Sequence, residues 1–308
     1  MRVKTLVKIG DFGEPLQSMV DREFHCLSPA EAFADTMAAG RVEGILTRSN
    51  CKISPDLLDR FPALRIIATS GVGYDGIPVR DAAARGIVVT NTPGVLDNAV
   101  CELGMALLLG LLRDIPHGDR FVRNGDWTNA SFPLTTNLHG MRVGIVGLGR
   151  IGEGMARRLE PFGVKIAYTS RAARAVSYEY FDSPLTLARQ SDALILCCAG
   201  GEETHHLVDE RVLDALSGGW LINIARGSVV DEAALCRALR SGSLRGAALD
   251  VFEEEPLSAS PLRSLPNVVL SPHRASATLQ TRSAMLRMAL DNLHAVLAGG
   301  TPLSIVKL

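Results

Sequence analysis

At 308 residues and roughly 150 residues per domain, the chain is expected to hold two domains, and 47% hydrophobic with 21% charged residues excludes a disordered chain. Thirty-two Lys and Arg against 33 Asp and Glu leave a net charge of −1, so no global basic field exists for nucleic acid or anionic lipid, and an anionic ligand must be held locally. The longest strongly apolar stretch, 103–112, is half of the roughly 20 residues a membrane span needs, the N-terminus lacks a basic-then-apolar leader, and six scattered cysteines form no CxxC pair; the expectation is a soluble cytoplasmic protein with no structural disulfide and no metal site.

In chain order, the first 40 residues carry no specific signal. Residues 63–69 and 86–90 are short apolar runs that predict buried strands, with 81–85 closing a small helix between them. Asp97 is placed to cap a helix over 98–113 that is apolar nearly all round, which marks it as buried in a core or between subunits. The clearest strand is 141–146, followed at once by a glycine loop, a helix to about 161 and a second strand at 164–169. Further strands are predicted at 193–198, 220–225, 246–251 and 267–270, with a helix at 231–240 among them. A last helix over 276–298 stacks Leu286, Leu290, Leu293 and Leu297 on one face and ends at Gly299-Gly300. Repeated βα alternation predicts an α/β fold with a Rossmann-type doubly wound parallel sheet.

The loop is Gly147-Leu148-Gly149-Arg150-Ile151-Gly152. Alone, a GxGxxG pattern is weak, but here it joins a strand to a helix and a second strand ends about 20 residues on, the spacing that meets a ribose. Gly147 permits the tight turn, Gly149 lets the backbone approach a pyrophosphate, Gly152 allows close helix packing, and amides near Arg150 and Ile151 face the anion. The second strand ends at Ser170-Arg171, with Arg174 close behind, where an NAD-specific site carries an acid. An acid would repel a 2′-phosphate, whereas Ser170, Arg171 and Arg174 can bind one, so NADP(H) is expected over NAD(H).

Ligands of open α/β sheets bind beyond the carboxyl ends of the strands. Three consecutive ends carry useful chemistry: 220–225 leads into Arg226, 246–251 runs on to Glu255, and 267–270 is followed by Ser271-Pro272-His273. A guanidinium grips a carboxylate, an imidazole passes a proton near neutral pH, and a carboxylate beside it orients it and favours its charged form. Together they suit reduction of a 2-oxo acid. The other histidines lack such partners, and no metal-ligand spacing is formed.

From about residue 45 almost to its end the chain resembles the D-isomer-specific 2-hydroxyacid dehydrogenase family. The likeness rests on Ser70-Gly-Val-Gly-Tyr-Asp75, Asn91-Thr-Pro-Gly94, the glycine loop, Asn223-Ile-Ala-Arg-Gly-Ser-Val-Val-Asp231, Leu249-Asp-Val-Phe-Glu-Glu-Glu-Pro256 and Ser271-Pro-His-Arg-Ala-Ser-Ala-Thr278. Within it, Ser170-Arg171 and Arg174 are most like the NADP-using glyoxylate/hydroxypyruvate reductases. The resemblance implies that Arg226 orients the substrate, His273 is the acid/base paired with Glu255, and amides around Val72 and Gly73 hold the substrate carboxylate. It also implies that Ile224 and Asp250 lie along the nicotinamide end and Cys198 near the adenosine. Arg274, Cys101 and Gln280 depart from the usual residues. The implied architecture is a dinucleotide-binding domain, 98–275, inserted into a smaller flavodoxin-like α/β substrate domain made of 1–97 and 276–308, with a homodimer expected. Formate-type dehydrogenases are disfavoured because they would carry an amide at Glu255. An NAD-dependent phosphoglycerate-type dehydrogenase is disfavoured by the missing strand-end acid and by the absence of a regulatory domain after Leu308. A dinucleotide-sensing module of the corepressor type, acting through protein partners, is the alternative from another functional class.

Overall fold

The computed structural model describes residues 4–307. The chain divides into two compact units, Met1–Leu96 with Ser276–Leu308, and Asp97–Ala275.

The first unit holds five parallel strands, β1 (Thr5–Lys8), β2 (His25–Leu27), β3 (Val42–Thr47), β4 (Ile66–Thr69) and β5 (Val88–Thr90), in the order β2-β1-β3-β4-β5. This is the flavodoxin-like order. Helices α1 (Leu16–Asp21), α2 (Pro29–Ala34), α3 (Thr36–Ala39), α4 (Pro55–Asp59) and α5 (Val79–Ala84) make the connections. Both faces of the sheet are covered, and side chains alternate between them: Val7, Ile45 and Ile67 pack into one apolar core, while Leu6, Leu46, Ile66 and Ala68 pack into the other against Leu286, Leu290 and Leu293 of the C-terminal helix Leu279–Leu297. The first 40 residues, silent as sequence, supply two strands and three helices, including a capping box in which Ser28 and Glu31 satisfy each other's amides ahead of α2.

The second unit opens with α6 (Asp97–Leu112) and α7 (Ile115–Arg123). It continues β6 (Arg142–Val146), α8 (Arg150–Leu159), β7 (Lys165–Thr169), β8 (Glu179–Phe181), α9 (Pro184–Ala188), β9 (Ala193–Leu196), α10 (Glu210–Ala215), β10 (Trp220–Asn223), α11 (Glu232–Ser241), β11 (Gly246–Leu249) and β12 (Val268–Leu270). The strands form one parallel sheet, β12-β11-β10-β9-β6-β7-β8. Order reverses between β6 and β9, the switch point at which a doubly wound sheet opens a crevice. The core strands are apolar throughout because helices cover both faces; α9, α10 and α11 close one side around Leu194, Leu196, Leu221 and Leu249.

Three strand predictions ran two residues too far: Cys197, Ile224, Ala225 and Val251 are apolar residues of the loops beyond the ladder. Hydrophobicity reports burial, not pairing. Asp97, expected to cap α6 from outside, is its first residue, and its carboxylate lies 3.3 Å from Arg150 Nε. Among the described residues no helix is long and apolar enough to cross a membrane, and no group of three metal-ligating side chains is present.

Candidate active site

The sheet order arranges the strand-end loops of the second unit in a row along its carboxyl edge: 271–275 after β12, 250–256 after β11, 224–227 after β10, 197–200 after β9, 147–149 after β6 and 170–174 after β7. Neighbouring strands lie about 4.8 Å apart, so adjacent loops are within side-chain reach.

At one end of the row His273 Nδ1 lies 2.7 Å from Glu255 Oε2, the two side chains being 30% and 28% exposed. Phe252 N donates to Glu255 Oε1 at 3.1 Å. Burial alone would raise the Glu255 pKa, but the His273 hydrogen bond and charge, the Phe252 amide and the Arg226 guanidinium together hold it below the ordinary carboxylate value. His273 itself sits at φ +50, a left-handed conformation uncommon for a side-chain-bearing residue. Its amide donates to Asp250 O at 2.9 Å, and the fully buried Asp250 carboxylate accepts from Ser271 Oγ at 2.5 Å, Arg274 N at 2.7 Å and Ala275 N at 2.9 Å. Asp250, expected along the nicotinamide end, thus gathers the loop that carries the histidine.

Arg226 follows β10 through a turn closed by buried Asn223, whose Oδ1 accepts from Ala225 N at 3.0 Å and whose Nδ2 donates to Arg226 O at 2.9 Å. Gly227 then passes against the chain at Phe252, where an added Cβ would come within 1.8 Å of the Phe252 carbonyl carbon. Only glycine lets the arginine loop and the glutamate loop meet.

The glycine loop meets the demands of a dinucleotide. Gly147 adopts φ +95 against Cys198, and a Cβ on Gly152 would approach Gly147 O to 2.1 Å. Gly149, by contrast, faces open space, with nothing within 4 Å of an added Cβ. The helix it opens, α8, has no side-chain cap, so its first amides are available to an anion. Leu148 is buried beneath the loop, Ile224 is buried at the end of β10, and Arg150 is exposed. Cys198 is partly buried, and that burial pushes its thiol up to about 11, which leaves it unreactive as a nucleophile near neutral pH.

After β7, Ser170 Oγ donates to Ala172 O at 2.6 Å, and the buried Tyr168 hydroxyl accepts from Arg174 N at 2.7 Å, fixing the turn. Arg171 is exposed, whereas the Arg174 guanidinium is held 3.1 Å from Glu153 Oε1 in the first turn of α8.

In the first unit, Val72 and Gly73 lie in the loop after β4. Asn91 Nδ2 donates to Val72 O at 2.8 Å, Thr92 N donates to Gly71 O at 2.9 Å, and a Cβ on Gly71 would press to 2.6 Å on Ser49. The loop is fixed by its main chain, as a backbone anion cradle must be.

Sequence reading found the three polar side chains but not Asn223, Ser271, Gly227 or Glu153. A buried asparagine ending an otherwise apolar run was the one available signal. The others depend on which loops become neighbours.

A family model described as D-isomer specific 2-hydroxyacid dehydrogenase, NAD binding domain, matches residues 105–275. A glyoxylate/hydroxypyruvate reductase A from Arabidopsis thaliana is 40% identical over 297 residues, covering 94% of this chain and 95% of that protein. A hydroxyphenylpyruvate reductase from Plectranthus scutellarioides is 40% identical over 92% of this chain and 93% of its own length. The crystal structure of an NADPH-dependent glyoxylate/hydroxypyruvate reductase from Sinorhizobium meliloti, in complex with NADP and malonate, is similar with a TM-score of 0.92 at 42% identity, covering 98% of this chain and 96% of that one.

Proposed function

Since the chain belongs to the D-isomer-specific 2-hydroxyacid dehydrogenase family, we propose that this NAD(P)-dependent oxidoreductase uses NADPH to reduce small 2-oxo acids of the glyoxylate and hydroxypyruvate class to D-2-hydroxy acids. The observation that carries the reading is the His273–Glu255 pair at 2.7 Å, with Arg226 one strand away, on the sheet edge that also bears the glycine loop. The reduced nicotinamide, when bound, supplies the hydride.

The chain's own residues do the rest. Because Nδ1 of His273 is committed to Glu255, Nε2 is the nitrogen left to donate a proton to the carbonyl oxygen at C2. Glu255, kept anionic by its partners, orients the ring through that transfer and stabilises the imidazolium before it. The Arg226 guanidinium binds the substrate by charge-assisted hydrogen bonds, and the Val72 and Gly73 amides are proposed as donors to its carboxylate. Amides at Arg150 and Ile151 and the open face of Gly149 take the pyrophosphate; Ser170, Arg171 and Arg174 take a 2′-phosphate. Cys198, Ile224 and Asp250 are proposed as lining residues of the same dinucleotide site. A test of the mechanism is His273→Ala assayed at the nicotinamide absorbance band with glyoxylate and hydroxypyruvate. Turnover should fall about 10²- to 10⁴-fold with nucleotide affinity retained, and near-normal turnover would remove His273 from its role.

We further infer a homodimer. The apolar faces of α6 are largely buried, but the segment after it exposes Ile115 (58%), Val122 (54%), Trp127 (69%) and Leu134 (102%). So many large apolar side chains in one exposed segment mark an association surface, and a second copy of the chain is its proposed occupant.

A further inference from the structure

We propose that Glu153 is a specificity-determining residue, its carboxylate occupying the Arg174 guanidinium that a 2′-phosphate would take and so setting how strongly the site favours NADP(H) over NAD(H). The inference rests on the reading of Arg174 as a phosphate ligand.

The strand end that in an NAD-specific site carries an acid carries Ser170-Arg171 here. An acid nevertheless reaches the place from another element. Glu153 sits in the first turn of α8, immediately after the glycine loop, with Oε1 3.1 Å from Arg174 and Oε2 3.6 Å from Arg157. Both arginines are more than half exposed and Glu153 is 29% exposed, so the pairs are geometrically defined yet weak enough to exchange. Arg174 cannot swing away as a whole. Its main chain is tied on both sides of the residue to the Tyr168 hydroxyl, which accepts from Arg174 N at 2.7 Å and donates to Arg174 O at 3.3 Å. Tyr168 is itself fully buried in β7, and Tyr180 OH donates to Ser170 O at 3.4 Å from the neighbouring strand. The backbone is therefore fixed while the guanidinium has one carboxylate to leave. A phosphate arriving at Arg174 must compete with Glu153 for the same donors and also meets its negative charge, whereas a ribose carrying only hydroxyls does neither. Glu153 should thus oppose the phosphorylated nucleotide selectively, moderating the preference that the arginines create.

The test is binding of 2′,5′-ADP and of ADP, measured by calorimetry on the full chain, so that the readout does not depend on turnover. In Glu153→Gln the affinity for 2′,5′-ADP should rise about two- to fivefold with ADP unchanged, since the competing pair is partly exposed. Unchanged or weakened 2′,5′-ADP binding would overturn the proposal. Loss of ADP affinity would also overturn it, because Glu153 would then be holding a ribose hydroxyl as an NAD-type acid does. In Arg174→Ala the gain from E153Q should shrink to the small part owed to the lost negative charge; a gain undiminished without Arg174 contradicts the exchange. The underlying reading has its own measurement: Arg174→Ala alone must weaken 2′,5′-ADP and spare ADP, and if it does not, the phosphate assignment fails whatever Glu153 does.

Discussion

Asp250 illustrates how one buried carboxylate can organise a proposed catalytic loop without touching the proton that His273 would transfer. Its three accepted hydrogen bonds hold residues 271–275, and its own carbonyl receives the His273 amide, so the left-handed backbone at His273 is stabilised by the neighbouring strand end rather than by the histidine's own preference. Asp250→Asn keeps the shape but replaces one acceptor oxygen with a donor, and is expected to lower kcat about ten- to a hundredfold while ADP binding is retained. Ser271→Ala, which removes one of the three bonds, should cost less. Steady-state kinetics beside calorimetry separate the outcomes, and an intact kcat would mean that Asp250 does not position the His273 loop. At this scale the site was partly legible. Arg226, Glu255 and His273 stand out because a polar residue at the end of an apolar run is where a parallel sheet places its chemistry. Glu153 and Ser271 did not, since their importance comes from Arg174 and Asp250, 21 residues away in each case, across a strand-to-strand contact that spacing does not reveal.

Most elements buried on both faces announced themselves: β4, β9, β10 and β11 lie in apolar runs because helices cover both sides of each sheet, but the buried interior strand β3 was passed over. The strands that were missed, β1, β2, β3 and β8, include one edge of each sheet. In β2 the row His25-Cys26-Leu27 is exposed to half-buried, and β8 begins Glu179-Tyr180, so neither shows the burial that periodicity detects. β1 is interior, but only its two middle residues are fully buried. The first unit secures its N-terminal part to the C-terminal helix through Glu23, whose carboxylate oxygens accept from Arg287 Nη1 at 2.7 Å and pair with His294 Nε2 at 2.8 Å. Burial would raise the Glu23 pKa, but these two partners lower it overall. A depressed folded-state pKa means stabilisation that is complete above the ordinary carboxylate value and is lost as pH falls through the folded value. Glu23→Gln is therefore expected to cost about 0.5–1 kcal/mol at neutral pH, discounted because both partners are half exposed, with the deficit closing at an acid pH below the folded value of Glu23. Urea unfolding at the two pH values checks it; an equal deficit at both would exclude the ionic origin.

For the whole molecule, a net charge of −1 meant that anion binding had to be local, and Arg226, Arg171 and Arg174 are the local cations now proposed for it. The dimer belongs to this scale. Sedimentation should give twice the chain mass at micromolar concentration, and Trp127→Asp with Leu134→Asp should give a folded monomer; a wild-type chain that stays monomeric would refute the inference. The second unit runs Asp97–Ala275, where a domain of 98–275 was expected. The order of the units along the chain bears on biosynthesis. The C-terminal helix supplies one wall of the first unit's core, and the ribosome makes it only after all of Asp97–Ala275 has been synthesised. Until then Leu6, Leu46, Ile66 and Ala68 have no Leu286, Leu290 or Leu293 to pack against, so the sheet that is synthesised first is the last to be sealed.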